Sequence, residues 1–459
     1  YAKRRALTSS FLIPNSGCVS VLKSISTYLY FMSSPLFSEY ASIRDRTLTL
    51  VNCLNDEDCC VQSMPETSPI KWHLGHVSWF FENFILRHYE SPFKPFHPFY
   101  LTMFSSYNRS GQTHPDPRRG LFTRPSLSTV REYGANVSDR LKRLLGEHEE
   151  DEMLHMLAVL GMHHERQHQE LMLVDIKHLF SCNPLSPAYR SAKLPPAGEI
   201  SPLEWHPYSG GLVEIGYQGK GFSYDNESPR HKCYLEPYQL ASRLITNGEY
   251  LKFMEAGGYD RPELWLTEGW DWKITVPSHP LYWRSNNGSD WQEFTLNGAI
   301  PLDPNLPVIH VSYYEAHAFA RWADARLPTE VEWENVAAQQ EIRGSFADNN
   351  RFHPDPAQVE AASAGQLSQL YGDAWEWTTS SYGAYTGYNP AKPNPDESMS
   401  MVWEEAVGEY NSRSMVNQNV LRGGSCVTSQ EWIRSSFRNF FPARTCRQFT
   451  GIRLARDAS

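Results

Sequence analysis

The order of apolar and polar residues divides the chain into a helical first part and a later part of short strands. Between about residues 36 and 179, apolar residues recur at three- and four-residue spacing, which predicts amphipathic helices. The pattern occurs in "LFSEYASIRDRTLTLVNCL", "SPIKWHLGHVSWFFENFILRHY", "SLSTVREYGANVSDRLKRLLG" and "DEMLHMLAVLGMHHERQHQELMLVDIKHLF". Four helices in this order predict a bundle, whose core can hold a metal ion.

The pattern changes after a Pro- and Ser-rich segment, "NPLSPAYRSAKLPPAGEISP". From about residue 203, short β-like runs such as "GGLVEIGYQG" and "NVLRGGSC" alternate with turn residues, and two helical segments interrupt them, "TNGEYLKFMEAGGY" and "SYYEAHAFARWADA". The sequence therefore predicts an α+β protein. Its predicted parts are an N-terminal extension (1–33), a helical bundle (34–190), a linker (191–205) and a second domain (206–459).

Two segments of the first part stand outside the helical pattern. Residues 1–33 carry a basic patch followed by an interrupted apolar run, which only faintly resembles a signal peptide, and we exclude them from the fold. Residues 91–125 contain six prolines and predict a long ordered loop, of the kind that often carries function. Ser68, before Pro69, is a candidate N-cap for the second helix.

Composition and charge narrow the functional classes. A chain of 459 residues is long enough for two or three domains. The net charge of -10 gives no electrostatic footprint for nucleic acid, and no apolar run reaches the roughly 18 residues of a membrane span. The eight cysteines form no CxxC pair and no disulfide framework, which indicates a reducing, cytoplasmic setting. The sequence does not indicate an oligomeric state.

The segment "HHERQHQE" (163–170) is the strongest candidate for chemistry. His164 and His168 are one helical turn apart on one face, a spacing that lets two imidazoles reach one metal ion. The segment "WHLGH" offers His73 or His76 as a third ligand, and three neutral imidazoles suit zinc or ferrous iron. Gln167 is placed to contact whatever the metal binds. The alternative is a helix with a solvated or hydrogen-bonded histidine pair.

Several longer motifs point to a known family. The segments "SPIKWHLGHVSWFFE", "RRGLFTRPSL", "HHERQHQELMLVDIKH", "GDAWEWT", "VLRGGSC" and "QFTGIRLARD" occur in the order seen in the nonheme-iron sulfoxide synthases of ergothioneine biosynthesis. The chain resembles this family from about residue 37 onward. The resemblance implies a DinB-like four-helix bundle followed by a C-type-lectin-like domain, of the type found in formylglycine-generating enzymes.

The resemblance also implies a reaction and a metal site. His76, His164 and His168 are expected to hold Fe(II), with His76 preferred because the second histidine of "WHLGH" matches the family position. With O₂, such enzymes join the sulfur of a thiol to the imidazole ring of hercynine and form a sulfoxide. The expected partners are therefore small molecules: hercynine, a thiol or selenosugar donor, and O₂.

Further site residues follow from the same resemblance. The quaternary ammonium of hercynine needs aromatic surroundings, and a carboxylate on the donor needs an arginine. The expected hercynine-binding residues are Gln167, Asn439, Phe440 and Phe441, and the candidate carboxylate-binding residues are Arg119 and Arg124. The candidates for the proton- or electron-donating tyrosine are Tyr107 in the loop and, as in another branch of the family, Tyr382 and Tyr385.

Two residues depart from the family pattern and leave the donor open. Asn108 replaces the second tyrosine of a loop pair, and Cys446 stands where a tryptophan is frequent. Cys446 is expected near the pocket, either as an inert thiol or in contact with a sulfur or selenium donor. Cysteine or γ-glutamylcysteine is the preferred donor. Selenoneine synthesis from a selenosugar is the second alternative, and ovothiol-type synthesis from histidine is the third.

Three other readings fit the sequence less well. Formylglycine generation needs two neighbouring cysteines near "GGS", whereas Cys426 stands alone there. A DinB-like thiol transferase would not need the second domain. A lectin-like binding module would bind no redox metal, and the histidine set argues against it.

Overall fold

The computed structural model describes residues 35–106, 118–191, 198–285, 290–357, 367–389 and 414–458, together with residues 194, 196, 288, 402 and 406. The N-terminal extension predicted at 1–33, and the candidate residues Tyr107 and Asn108, lie outside the described residues.

The first half is a bundle of four helices, as the apolar spacing predicts. The helices are α1 (Pro35–Val51), α2 (Ile70–Phe81), α3 (Leu127–Glu147) and α4 (Glu152–Ser181). Helix α2 continues through a π-helical turn, Glu82–Leu86, into a last turn, Arg87–Tyr89. The predicted loop at 91–125 is not free of helix, since it contains short turns at Tyr100–Met103 and Arg119–Leu121.

Two of the bundle helices begin with a side-chain N-cap, and helix α2 does not. Ser126 caps α3 and Asp151 caps α4, each side chain accepting a backbone N–H of the first turn. The predicted cap of α2 is wrong, because α2 begins after Pro69 with no side-chain cap. Ser68 instead donates its backbone N–H to Asp175 of α4 at 2.8 Å, which ties the start of α2 to the neighbouring helix.

The second half is a domain of short strands and helices. Its strands are β1 (Trp205–Tyr208), β2 (Gly211–Ile215), β3 (His231–Leu235), β4 (Tyr238–Ala241), β5 (Trp283–Arg284), β6 (Gln292–Thr295), β7 (Gly298–Pro301), β8 (Trp375–Ser381), β9 (Asn419–Arg422), β10 (Asn439–Phe441), β11 (Thr450–Gly451) and β12 (Ala455–Asp457). Its helices are α5 (Asn247–Glu255), α6 (Thr267–Lys273), α7 (Tyr313–Trp322) and α8 (Glu330–Ala337). The sequence predicted α5 and α7 and missed α6 and α8.

The strands of the described residues form four small sheets, with strand orders β1-β4-β12, β10-β9-β8-β11, β2-β3 and β5-β6-β7. All named pairs are antiparallel except β11 with β8, which is parallel. The last strand, β12, pairs with β4, which also pairs with β1. The end of the chain therefore closes the sheet with which this domain begins.

Helix α4 lies at the centre of the molecule. On the bundle side it packs against α1 and α2, and the absence of a side chain at Gly161 permits the close approach of α2, because a Cβ there would lie 2.7 Å from the Phe81 ring. On the other side it meets the second domain, where Trp375 of β8 donates its indole N–H to Glu170 at 2.8 Å. Residues on α4 can therefore belong to a site that both halves help to build.

Among the described residues, no helix combines the length and apolarity needed to cross a bilayer.

Candidate metal centre

Three buried histidines from two helices meet at the contact between α2 and α4. His76 comes from α2, and His164 and His168 come from α4, one turn apart as their spacing predicts. One nitrogen from each lies within 4.8 Å of the other two. The Nε2 atoms of His76 and His164 are 3.1 Å apart. Two nitrogens bound to one ion at about 2.1 Å and a right angle lie about 3.0 Å apart, so the spacing fits a shared metal ion.

The position of His76 depends on a glycine one residue before it. Its Nδ1–H donates to the backbone carbonyl oxygen of Phe104 at 2.6 Å, so its Nε2 keeps a lone pair for a metal. This bond requires the Phe104 segment to pack directly on α2. A Cβ at Gly75 would lie 2.2 Å from the Phe104 ring, so the glycine of "WHLGH" creates the space that orients the histidine after it.

His73, the other histidine of "WHLGH", lies beside the cluster, in the lining of the same cavity, and is not one of its three members. Its Nδ1 is 2.8 Å from Nδ1 of His168, and its Nε2 is 3.1 Å from Oδ2 of Asp175. It therefore contacts one candidate ligand without joining the three. Spacing alone left His73 and His76 as alternatives, and the family resemblance preferred His76, which is the one that the structure groups with His164 and His168.

The three clustered imidazoles are held in the neutral form that metal binding requires. Burial, with a smaller contribution from the neighbouring His73, lowers the pKa of His164 to about 3. Burial and the neighbouring histidines lower the pKa of His76 and of His168 well below the usual range as well. Neutral imidazoles are ligands, so the donor set fits a divalent transition metal.

A cavity of about 210 Å³ lies beside the histidines. Its lining includes Gln167, as the sequence predicts, and Arg119. The guanidinium of Arg119 lies 3.6 Å from the centre of the Trp72 ring, and its Nη1 donates to the hydroxyl of Ser68 at 2.6 Å. Arg119 is therefore fixed at the wall of the cavity.

The two predicted arginines have different surroundings. Arg124 is exposed and donates to the carbonyl of its neighbour Thr123, and it does not line the cavity. The second arginine at the cavity is Arg447, which comes from the second domain and which the sequence analysis did not identify. Its only sequence signal is its place next to Cys446. The cavity is thus formed by both halves of the chain, with a cation from each.

The aromatic residues predicted in the second domain for substrate binding or catalysis lie just after β8 and on β10. Phe440 stacks on Tyr382 with ring centres 4.0 Å apart, and Asn226 donates to the Tyr382 hydroxyl at 2.9 Å. Tyr385 donates to Glu330 at 3.4 Å. Within the described part of the chain, the cavity lining includes none of Tyr382, Tyr385, Asn439, Phe440 and Phe441. Their roles in binding or catalysis stay predictions.

Cys446 lies next to the cavity in the chain, but its thiol is not activated. Burial raises its pKa to about 12, and the nearby Glu315 adds to the effect. A thiol in this environment carries its proton at neutral pH and is a weak nucleophile. The environment of Cys446 therefore favours the first of its two predicted roles, an inert neighbour of the pocket.

Comparison with known proteins gives matches along almost the whole chain. The family described as the sulfatase-modifying factor enzyme 1-like domain matches residues 207–458, and the DinB superfamily matches residues 39–172. The hercynine oxygenase of Mycobacterium tuberculosis is 32% identical over 456 residues, which cover 93% of this chain and 100% of that protein.

Two further relatives agree with these matches. The hercynine oxygenase of Mycolicibacterium smegmatis is 30% identical over 454 residues, covering 92% of this chain and 98% of that protein. Ergothioneine biosynthesis protein 1 of Schizosaccharomyces pombe is 27% identical over 248 residues, covering 51% of this chain and 28% of that protein. The predicted resemblance and the predicted order of the two folds are confirmed. The chain belongs to the hercynine oxygenase family of enzymes.

Proposed function

We propose that this enzyme is a nonheme Fe(II) sulfoxide synthase that uses O₂ to join the sulfur of a small thiol to the imidazole ring of hercynine. The observation that carries the proposal is the cluster of His76, His164 and His168 in a chain of the hercynine oxygenase family. Three neutral nitrogens leave coordination positions open for substrates, as catalytic metal sites require. When bound, ferrous iron supplies the one-electron and O₂ chemistry that side chains lack.

The side chains around the cavity fit two carboxylate-bearing substrates. Hercynine and an amino-acid thiol each carry a carboxylate, and arginine is the residue that binds carboxylates most specifically. Arg119 and Arg447 place one guanidinium from each half of the chain at the cavity. Gln167 adds an amide that can both donate to and accept from a substrate. The proposed roles are carboxylate binding for the arginines and substrate orientation for Gln167.

We propose that the donor is a thiol rather than a selenosugar. The relatives described above are hercynine oxygenases and an ergothioneine biosynthesis protein, which agree with sulfur chemistry and give the selenosugar alternative no support. The protonated thiol of Cys446 also offers no activated group for a selenium donor. Cysteine and γ-glutamylcysteine are the candidate donors.

A competition experiment tests the proposal. The protein is loaded with Fe(II) without oxygen and then given hercynine, O₂, and equal amounts of cysteine, γ-glutamylcysteine and a selenosugar. Products are identified by mass spectrometry. We expect a hercynine sulfoxide adduct of one thiol, which names the donor. The matched control is the same mixture with the His164→Ala variant, which we expect to give no adduct.

Two results would contradict the proposal. A selenium adduct in place of the sulfur adduct would overturn the donor class while retaining the oxygenase. If the wild-type protein binds iron but forms no hercynine adduct with any donor, the proposed substrate is wrong.

A further inference from the structure

Two buried residues outside the three-histidine cluster are linked to it by hydrogen bonds and line the same cavity. His73 of α2 is 2% exposed and Asp175 of α4 is 6% exposed. Asp175 follows His168 by seven residues, about two helical turns, so both lie on the same side of α4. His73 bridges them, 2.8 Å from His168 and 3.1 Å from Asp175. The three side chains therefore form a continuous row that ends at the candidate metal ligand.

One set of hydrogen-bond directions in this row leaves a nitrogen of His168 free for a metal. A carboxylate only accepts hydrogen bonds, and Oδ2 of Asp175 accepts the backbone N–H of Ser68 at 2.8 Å and Nε2–H of His73 at 3.1 Å. With its proton on Nε2, a neutral His73 must accept at Nδ1. It therefore accepts Nδ1–H of His168 at 2.8 Å, which leaves Nε2 of His168 with a free lone pair.

We infer that His73 and Asp175 are positioning residues that hold the ring of His168 in the orientation and tautomer needed to bind the metal. Hydrogen bonds of this kind, from a ligating imidazole to a carboxylate or another acceptor, orient the ring and raise its basicity. His76 has a backbone carbonyl for this purpose, whereas His168 relies on a side chain that can be changed. The inference rests on the proposed function only in that the cluster binds a divalent metal.

A purely structural role for His73 is the alternative, because a buried histidine also fills space. Two substitutions of similar size separate the alternatives. In His73→Asn the amide oxygen stands near the position of Nδ1 and can still accept from His168. In His73→Gln the amide stands near the position of Nε2 and reaches Asp175 instead. His73→Leu removes both hydrogen bonds and fills the space with an apolar side chain of similar volume.

The experiment measures Co²⁺ binding to the purified apoprotein, by competition with a coloured chelator and by the visible absorption of the bound ion. We expect His73→Leu and His73→Gln to bind Co²⁺ about 10- to 100-fold more weakly than wild type and to shift its absorption bands. His73→Asn should lose less than about tenfold and keep the wild-type bands. Asp175→Asn should lie between these limits. If His73→Leu does not fold, the Asn and Gln variants carry the test.

The outcome is distinguishable from a failure of the proposed function, since no substrate is present. Equal Co²⁺ affinities and spectra in wild type, His73→Asn and His73→Gln would overturn the inference. So would equal losses in the Asn and Gln variants, which would show that His73 only fills space. If wild type itself binds no Co²⁺ or Fe²⁺, the metal centre of the proposed function fails, and the inference fails with it.

Discussion

Two sides of helix α4 carry buried polar residues, but these residues make different kinds of contact. On the side facing α1, Glu165 forms an ion pair with Arg44 at 3.0 Å and accepts from Thr47 at 2.7 Å. Gln169, four residues later, donates to the carbonyl of Ile43 at 2.9 Å. These groups hold two helices together, and every partner lies within the bundle.

On the side facing α2, the Nε2 atoms of His164 and His76 point at each other, and the hydroxyl of Ser106 lies 3.1 Å from Nε2 of His76. Their Nε2 atoms are 3.1 Å apart, and neither can satisfy the other if both carry lone pairs. A buried polar atom without a partner costs free energy, so such an arrangement persists where an added ligand satisfies it. The difference between the two sides teaches that burial alone does not mark a site. Imidazole nitrogens that converge from two helices mark it.

The largest expected effect comes from removing a clustered histidine on the side of α4 that faces α2. His164→Ala should abolish stoichiometric iron binding and lower oxygenase turnover by more than about 100-fold, since loss of a direct ligand exceeds loss of an outer contact. The readouts are iron content and O₂ consumption. His163→Ala is the matched control, because His163 is 7% exposed against 6% for His164 and stacks on Phe222 outside the cluster. Equal iron loss in both variants would contradict the comparison.

The second effect concerns the side of α4 that faces α1. Glu165→Leu should lower the free energy of unfolding by about 3–5 kcal/mol, because it leaves the Arg44 guanidinium buried without its partner. Folded molecules should keep wild-type metal affinity. Urea denaturation and Co²⁺ titration test the two statements. The double variant Arg44→Met with Glu165→Leu should recover much of the stability. Loss of metal affinity without loss of stability would show that this side belongs to the site.

A third effect depends on pH and concerns Lys177, an α4 residue that faces the second domain. Burial lowers the pKa of Lys177 to about 8, although nearby Glu293 and Cys426 act in the opposite direction. Its Nζ lies 2.7 Å from Nε2 of His310 and 4.9 Å from the centre of the Tyr282 ring. An unfolded lysine titrates near pH 10.4. Between pH 8 and 10 the unfolded state therefore holds more protons than the folded state, and stability from this group rises with pH.

The Lys177→Met variant isolates this dependence. The difference in unfolding free energy between wild type and variant should shift in favour of wild type by about 2 kcal/mol from pH 8 to pH 10. Urea denaturation at three pH values measures the shift. A difference that stays constant over this range would show that the lysine remains charged in the folded protein.

The smallest effect tests how the ring of His76 is oriented. Gly75→Ala places a Cβ 2.2 Å from the buried Phe104 ring, so the ring must shift. The movement should loosen the bond from His76 to the Phe104 carbonyl and weaken Co²⁺ binding by about tenfold. Gly146→Ala is the control, because a Cβ at this position of α3 has open space around it. Equal Co²⁺ affinity in the two variants would contradict the role of Gly75.

The bundle was more predictable than the second domain for a physical reason. Helices arise from contacts between residues three and four apart, so the sequence showed all four and the shared face of His164 and His168. The second domain depends on pairing between distant strands, as when β12 joins β4, and its short helices α6 and α8 have little local signal. The resemblance to a family, rather than periodicity, identified its fold.

The sequence by itself determined the four bundle helices, two candidate ligands at helical spacing and Gln167 beside them. The family resemblance favoured His76 of "WHLGH", but only the tertiary structure shows that His76 meets His164 and His168, because this depends on the packing of α2 against α4 at Gly161. It also placed Arg119 and Arg447 at one cavity and left Arg124 outside it, since the path of a loop follows no repeating pattern. Spacing along one helix is a local property, whereas convergence of side chains from distant segments exists only once the chain is packed.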